Sequence, residues 1–275
     1  MASNTAPQDV HRYARDGNAS LLRMTLEANP DLVESTDADS RTPIQNAISC
    51  LPPSLASVQA CLDALDSLAS DHQGARNKVL ENRDETGNTA LISAATTGNL
   101  ELVSTLVGAG ADVTAANNRG ATALHYAASK GHVSVCSSCN STPCSEADPQ
   151  GAQIGRLLIQ RGADINIRDK ANQIPLHRAA TTGSVPFIQL ILASKSPSKP
   201  EKPRLNQADR VGNTPLHLAI ESGHAEAAVA LIEGGADRDR GDSEGVRPEE
   251  IEGVGGVEAK RVREYIVQRC GPLSS

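Results

Sequence analysis

The sequence is poor in aromatic side chains: its 275 residues include three Tyr, one Phe and no Trp. A single thick core is therefore not expected, because large aromatic side chains usually supply much of the buried area in such a core. The hydrophobic fraction of 39% comes mainly from Ala, Leu, Ile and Val. These smaller side chains suit many thin layers of packing.

The chain also lacks an excess of positive charge and a long apolar run. Its net charge of −7 at pH 7 argues against nucleic acid as the main partner, because phosphate binding needs clustered Lys and Arg. No apolar run approaches the roughly 18 residues needed to span a bilayer, and the N-terminus lacks the apolar core of a signal peptide. We therefore expect a cytoplasmic and nuclear protein with no membrane partner, whose six cysteines stay reduced.

Signatures of catalysis are missing as well. The sequence contains no G-x-x-x-x-G-K-[ST] phosphate loop, and no Ser, Cys or Asp stands in the context of a nucleophile elbow. We expect neither an enzyme nor a bound cofactor.

The sequence does contain a repeat. Four segments of the type G-N-T-P-L-H-x-A-x-x-x-G begin at Gly87, Gly120, Asn172 and Gly212. Their successive spacings of 33, 52 and 40 residues imply a 33-residue period with insertions of 19 and 7 residues. Weaker copies begin at Ser40 and Gly245, and a degenerate helical pair is expected at about residues 8–28. The chain therefore holds about seven units.

Each unit has the pattern of two short helices. In the copy at 212–244, Thr214 and Pro215 begin a helix, where the missing N–H of proline costs little. Apolar residues then recur at helical spacing until Gly223, a residue type that commonly ends helices. A second apolar helix and the sequence G-G-A-D follow, where small residues permit close stacking and a chain reversal.

A 33-residue helix–turn–helix–hairpin unit with T-P-L-H resembles the ankyrin repeat. The resemblance implies an all-α ankyrin-repeat solenoid of about seven units with inserted loops, in which neighbouring units bury a continuous core. It also implies that the repeated histidines, His125, His177 and His217, hydrogen-bond locally at the junction between hairpin and helix. The expected units of this single domain, residues 1–275, are 1–39 (an N-terminal cap), 40–86, 87–119, 120–171 (with the insertion 135–153), 172–211, 212–244 and 245–275 (a C-terminal cap).

Three local matches are similar to a narrower family, the gankyrin-like chaperones of the proteasome regulatory particle. They are T-D-A-D-S-R-T-P at 36–43, A-L-H-Y-A-A-S-K-G-H at 123–132, and L-H-R-A-A-T-T-G at 176–183 followed by G-N-T-P-L-H-L-A at 212–219. The resemblance implies a monomeric chaperone in assembly of the 26S proteasome regulatory particle. Its concave face would bind the C-terminal domain of a proteasomal AAA ATPase subunit.

Charged residues at hairpin tips and first helices are the candidates for this contact, since they line the binding face of such solenoids. The partner-binding residues expected from the resemblance and from these positions are Asp39, Arg41, Glu85, Arg119, Lys130 and Arg178, with Asp84 on the same strip. The family tends to have Asp where this chain has Glu85. The second unit departs from T-P-L-H and is stretched by 14 residues, and the fifth carries the loop K-S-P-S-K-P-E-K-P-R.

The segment H-V-S-V-C-S-S-C-N-S-T-P-C-S-E, residues 132–146, has a different pattern. His132 and the three cysteines Cys136, Cys139 and Cys144 formally supply four zinc ligands. Removing residues 135–153, however, restores the 33-residue period and aligns Ile154, Leu158 and Ile159 with the apolar residues of the preceding unit. Codons for this segment are compatible with a short in-frame intron. A Ser-rich loop, a retained intron and, less favoured, a zinc site stay open.

Three functions are compatible with these patterns. The first is the non-enzymatic assembly chaperone, and the second is a generic ankyrin adaptor that inhibits a cell-cycle or transcription factor. The third is a zinc-binding or redox regulator that uses the 132–144 cluster.

Overall fold

The computed structural model describes residues 7–68, 72–130, 150–194, 202–251 and 257–272. The chain divides into two compact units, residues 1–118 and 119–275. Both are built from pairs of short helices joined by hairpins. None of the helices within the described residues is long and apolar enough to cross a membrane.

The first unit contains three successive helix pairs and one additional helix. Its α-helices are α1 (Pro7–Arg15), α2 (Ala19–Ala28), α3 (Pro43–Ser49), α4 (Leu55–Ser67), α5 (His72–Leu80), α6 (Ala90–Thr97) and α7 (Leu100–Gly108), with a 3-10 helix at Pro30–Glu34. The first helices α1, α3 and α6 pack side by side, and the second helices α2, α4 and α7 pack in the same order. Each pair therefore shares a thin apolar layer with its neighbour, as the low aromatic content predicts.

The second unit repeats this arrangement. Its α-helices are α8 (Ala123–Ser129), α9 (Gln150–Gln160), α10 (Pro175–Thr181), α11 (Val185–Ala193), α12 (Pro215–Glu221), α13 (Ala225–Glu233) and α14 (Val257–Cys270), with a 3-10 helix at Pro248–Glu250. Helices α8, α10 and α12 form one layer, and α9, α11 and α13 form the other. Helix α14 buries Val262 and Ile266 and packs against α12 and α13, so it covers the last pair.

The insertion in the second repeat forms a helix instead of the inserted loop that we expect from the sequence. Helix α5 buries Val79 and Leu80. Lys78 pairs with Glu34 at 2.5 Å, and Arg76 pairs with Asp66 of α4. The segment packs against the 3-10 helix and α4. The two buried apolar side chains contribute more to its stability than the ion pairs, which are largely exposed.

Helix α9 shows how the second helix of the fourth repeat is completed. Ile154, Leu158 and Ile159 are buried, as the alignment with the preceding repeat predicts. The helix begins at Gln150, inside the segment 135–153 that we expect to be an insertion, and Ala152 is also buried. The last residues of that segment therefore belong to the helical core.

Candidate functional site

The hairpin tip at 117–120 begins with Asn117, and each of the other hairpin tips described here is organised by an aspartate at its start. Its carboxylate Oδ1 accepts hydrogen bonds from the backbone N–H groups two and four residues later, at 2.8–3.0 Å. This geometry occurs at Asp37 and Asp84 in the first unit and at Asp169, Asp209 and Asp242 in the second. The carboxylates thus accept hydrogen bonds from backbone N–H groups of the turn, which have no partner in a helix or strand.

The fourth residue of every such tip has a left-handed backbone. Glycine occupies this position in most copies, but Ser40 (φ 59°) and Asn172 (φ 61°) adopt it as well. A side chain in this conformation is strained by roughly 1 kcal/mol or more. The shared backbone shows that tip geometry is maintained even where the sequence is unfavourable for it.

Main-chain hydrogen bonds join consecutive tips within each unit. In the first unit the N–H of Glu85 donates to the carbonyl of Asp39 at 3.3 Å. In the second, the N–H of Lys170 donates to the carbonyl of Arg119 at 2.8 Å, and that of Arg210 to Ala171 at 3.0 Å. The side chains at these positions are therefore presented at regular intervals on a defined backbone.

Buried histidines join the first helix of one repeat to the hairpin of the next. The Nδ1 atom of His125 accepts the Thr122 N–H at 3.2 Å, and its Nε2–H donates to the carbonyl of Gln173 at 3.1 Å. His177 and His217 make the equivalent pairs of bonds, and their Nε2 atoms bond to the carbonyls of Asn213 and Val246. The expected local bond at the junction is present, and a second bond crosses to the following repeat.

Burial sets the protonation state of these histidines. It lowers the pKa of His125 from 6.5 to about 4, although the hydrogen bond to the carbonyl of Gln173 acts in the opposite direction. Burial also lowers the pKa of His177 and of His217. Neutral imidazoles with Nδ1 as acceptor and Nε2–H as donor are what the observed bonds require.

Glutamine performs the same role in the second repeat, which the sequence analysis does not anticipate. The Oε1 atom of Gln45 accepts the Thr42 N–H at 2.9 Å, and its Nε2–H₂ donates to the carbonyls of Asn88 and Asn82. An amide offers an acceptor and a donor in one side chain, as a neutral imidazole does. The position of Gln45 within T-P-I-Q is the signal that identifies it.

The expected site residues of the first unit differ in whether their side chains are exposed to a partner or used within the unit. Asp39 and Glu85 are exposed, and no side-chain ion pair joins either to another described residue. Arg41 is half-buried, and its Nε lies 3.8 Å from Oδ2 of Asp84, whose side chain is only 7% exposed. Asp84 is therefore an internal residue of its hairpin and a partner of Arg41.

The expected site residues of the second unit also divide into two groups. Arg119 and Lys130 are exposed. Arg178 instead contacts its own unit: its Nη2 lies 3.1 Å from Oδ2 of Asp169, and its guanidinium lies 5.4 Å from the ring centre of Tyr126. Because the Asp169 side chain is only 4% exposed, Arg178 neutralises a buried carboxylate in addition to any contact with a partner.

The expected zinc ligands lie outside the described residues, since His132, Cys136, Cys139 and Cys144 all fall between 131 and 149. Within the part of the chain that the structure describes, no group of three or more His, Cys, Asp or Glu side chains is arranged to hold a metal ion. Cys50, Cys61 and Cys270 are free thiols. Burial raises the pKa of Cys61 to about 12, which keeps it protonated and unreactive.

Comparison with known proteins identifies the repeat. The family described as "Ankyrin repeats (3 copies)" matches residues 54–138 and 146–242, more than half of the chain. This match and the helix pairs confirm the predicted fold class.

Three curated relatives differ in how much of each protein is shared. The "Probable 26S proteasome regulatory subunit p28" of Saccharomyces cerevisiae is 29% identical over 245 residues, which are 88% of this chain and 92% of that protein. Mouse "Protein phosphatase 1 regulatory subunit 27" is 28% identical over 99 residues, 36% of this chain and 60% of that protein. Human "Transient receptor potential cation channel subfamily A member 1" is 28% identical over 238 residues, 78% of this chain and 19% of the channel.

The p28 match extends along nearly the whole of both chains. The match to the phosphatase subunit covers only part of each chain, and the match to the channel covers a small part of the channel. The p28 match confirms the resemblance to the gankyrin-like proteasome proteins that the local motifs predict. Paired helices occur in both units, and buried histidine junctions occur in three repeats of the second unit. The chain belongs to the ankyrin-repeat family.

Proposed function

We propose that this protein is a non-enzymatic chaperone in assembly of the 26S proteasome regulatory particle. In this proposal it binds the C-terminal domain of a proteasomal ATPase subunit through its hairpin tips and first helices. The observation that carries the proposal is the similarity to p28 over 88% of this chain and 92% of that protein. Shared repeats also give a 238-residue match to the channel, but that match covers only 19% of the channel, whereas the p28 match covers nearly all of both proteins.

The exposed charges at the tips support a binding role. Asp39 and Glu85 occupy neighbouring tips of the first unit, and Lys130 is exposed at the end of α8. Because the aspartates at the start of the tips are used internally, these side chains are the ones available to a partner. We propose that Asp39 and Glu85 pair with basic residues of the ATPase domain, and that Lys130 and Arg119 pair with acidic ones.

Internal contacts make two of the expected site residues, Arg41 and Arg178, poor probes of binding. Arg41 pairs with Asp84 and Arg178 with Asp169, so replacing either one perturbs a hairpin as well as a surface. Loss of binding in such variants would not separate folding from recognition. The exposed residues Asp39, Glu85 and Lys130 are therefore better probes.

The test is co-purification of tagged protein from the source cells, with the captured subunits identified by mass spectrometry. We expect the wild-type protein to capture a proteasomal ATPase subunit, and Asp39→Lys combined with Glu85→Lys to weaken the direct interaction by about tenfold or more. The matched control is Asp16→Lys with Glu27→Lys, two exposed acidic residues outside the hairpin tips. This variant carries the same change in charge.

Direct binding of purified proteins completes the experiment. Wild-type protein and the control should bind the C-terminal domain of the captured ATPase subunit equally, and Lys130→Glu should bind more weakly. Capture of cell-cycle or transcription factors without any subunit of the proteasome base would show that the chaperone proposal is wrong and favour the generic adaptor.

A further inference from the structure

The hairpin tips of the second unit carry a row of basic side chains, of which only Arg119 is expected from the sequence. Arg119, Lys170 and Arg210 lie on three consecutive tips, and all three are exposed. We call them the basic row. No ion pair joins Lys170 or Arg210 to another of the residues that the structure describes. Aligning the tips by their left-handed fourth residue places Lys170 and Arg210 at the second tip position and Arg119 at the third.

The aspartates that begin the tips of Lys170 and Arg210 have carboxylates that face their own hairpins. Asp169 accepts from the N–H groups of Ala171 and Gln173 and pairs with Arg178. Asp209 makes the same pair of backbone bonds in its own tip, and its Oδ2 accepts from Nε2 of Gln173 at 3.2 Å. The tips of Lys170 and Arg210 thus hold their negative charge inward and their positive charge outward.

The backbone and an apolar side chain give the basic row a defined shape. Lys170 and Arg210 are held by main-chain bonds to the preceding tips at 2.8 and 3.0 Å. Val211, beside Arg210, is 64% exposed and offers an apolar surface next to the charge. The carbonyl of Val211 is fixed by the hydroxyl of Ser243 at 2.5 Å. A partner can therefore meet ordered positive charges together with an apolar contact.

We propose that the basic row binds an acidic segment of a partner protein, with an apolar side chain of that segment against Val211. A protein segment fits better than nucleic acid for two reasons. The row is only three cations long, with the exposed Glu244 on the following tip, and the chain as a whole carries −7, which repels an extended polyanion. The proposal concerns the second unit alone and does not depend on the partner being a proteasomal ATPase.

The test uses the full-length protein and a fluorescein-labelled peptide of alternating Glu and Leu, followed by fluorescence anisotropy at low salt. We expect saturable binding that weakens by about tenfold or more in Lys170→Glu with Arg210→Glu, because two attractions become repulsions. The neutral variant Lys170→Gln with Arg210→Gln should fall between the two. The matched control Arg161→Glu with Arg269→Glu changes two other exposed arginines and should bind within about twofold of wild type.

Mapping on the wild-type protein makes the test independent of the folding of any variant. Amide chemical shifts should change around the basic row and Val211 when the peptide is added. The proposal is wrong if wild type does not bind the peptide, if the control loses as much affinity as the charge-reversed variant, or if shift changes lie elsewhere. A single-stranded oligonucleotide that binds the same row more tightly than the peptide would also overturn it, in favour of a nucleic-acid surface.

Discussion

Replacing His125 by glutamine should remove part of the acid sensitivity of the protein while keeping its fold. His125 is fully buried; its Nδ1 accepts from the N–H of Thr122, and its Nε2–H donates to the carbonyl of Gln173 in the next repeat. Gln45 already makes this pair of bonds in the second repeat. We therefore expect His125→Gln to lie within about 1 kcal/mol of wild type near neutral pH.

The lowered pKa of His125 sets how much stability the protein loses when the pH falls. Burial brings the pKa of His125 from 6.5 to about 4, so the stability that the neutral imidazole contributes is complete above pH 6.5. It is lost as the pH falls from 6.5 towards 4, because the unfolded chain then binds a proton that the folded chain does not. Applying this linkage, His125 alone costs the wild-type protein about 2 kcal/mol between about pH 8 and about pH 5. A glutamine does not titrate, and that portion of the loss disappears.

The measurement is urea unfolding followed by circular dichroism at both pH values. The other buried histidines are present in wild type and variant alike, so the difference between the two proteins isolates His125. His125→Leu serves as the comparison: it leaves the Thr122 N–H and the Gln173 carbonyl unpaired and should lower the free energy of unfolding by about 2 to 5 kcal/mol near pH 8. Its deficit relative to wild type should be about 2 kcal/mol smaller near pH 5, because leucine does not titrate. An equal loss between the two pH values in wild type and His125→Gln would refute the reasoning.

Three further predictions concern packing and backbone. A Cβ on Gly155 would lie 2.6 Å from the ring of Phe187. Gly155→Val should therefore lower the free energy of unfolding by about 1 to 3 kcal/mol, and adding Phe187→Leu should restore part of the loss. Thermal unfolding measures both effects, and an unchanged stability of Gly155→Val would contradict the prediction. Ser40→Gly should raise the free energy of unfolding by about 0.5 to 1 kcal/mol, because φ is 59° there, and a lower urea midpoint would be inconsistent with strain. Arg178→Ala should lower the free energy of unfolding by about 1 to 3 kcal/mol, because it removes the cation that pairs with the buried carboxylate of Asp169. The exposed Lys130→Ala should lower it by less than about 0.5 kcal/mol in the same urea titration. Equal losses in the two variants would show that the ion pair is not stabilising.

The repeat made most of the fold predictable. Helix starts at Thr-Pro and helix ends near glycine follow from local backbone preferences, and Gly98, Gly183 and Gly223 all have positive φ at those ends. Such signals need only a few neighbouring residues, so a single sequence reveals them. The burial of Ile154 and Leu158 follows from the period in the same way.

The candidate site was less predictable, because its outcome depends on contacts between repeats. Arg41 and Arg178 have the sequence context of surface residues, yet each pairs with an aspartate of a hairpin. Helix α5 buries Val79 and Leu80 and forms ion pairs with Glu34 and Asp66, contacts that no local pattern indicates. Conversely, Lys170 and Arg210 were missed because their importance rests on the inward direction of the carboxylates beside them.

The junction bonds that the Gln45 and repeated histidine side chains make between repeats all reach towards the C-terminus. The side chain of Gln45 reaches forward to Asn88, His177 to Asn213 and His217 to Val246. A repeat emerging from the ribosome therefore has an incomplete junction until its C-terminal neighbour has been synthesised and folded. Synthesis from the N-terminus closes these junctions one after another, and the most recently made repeat is always the least protected against unfolding.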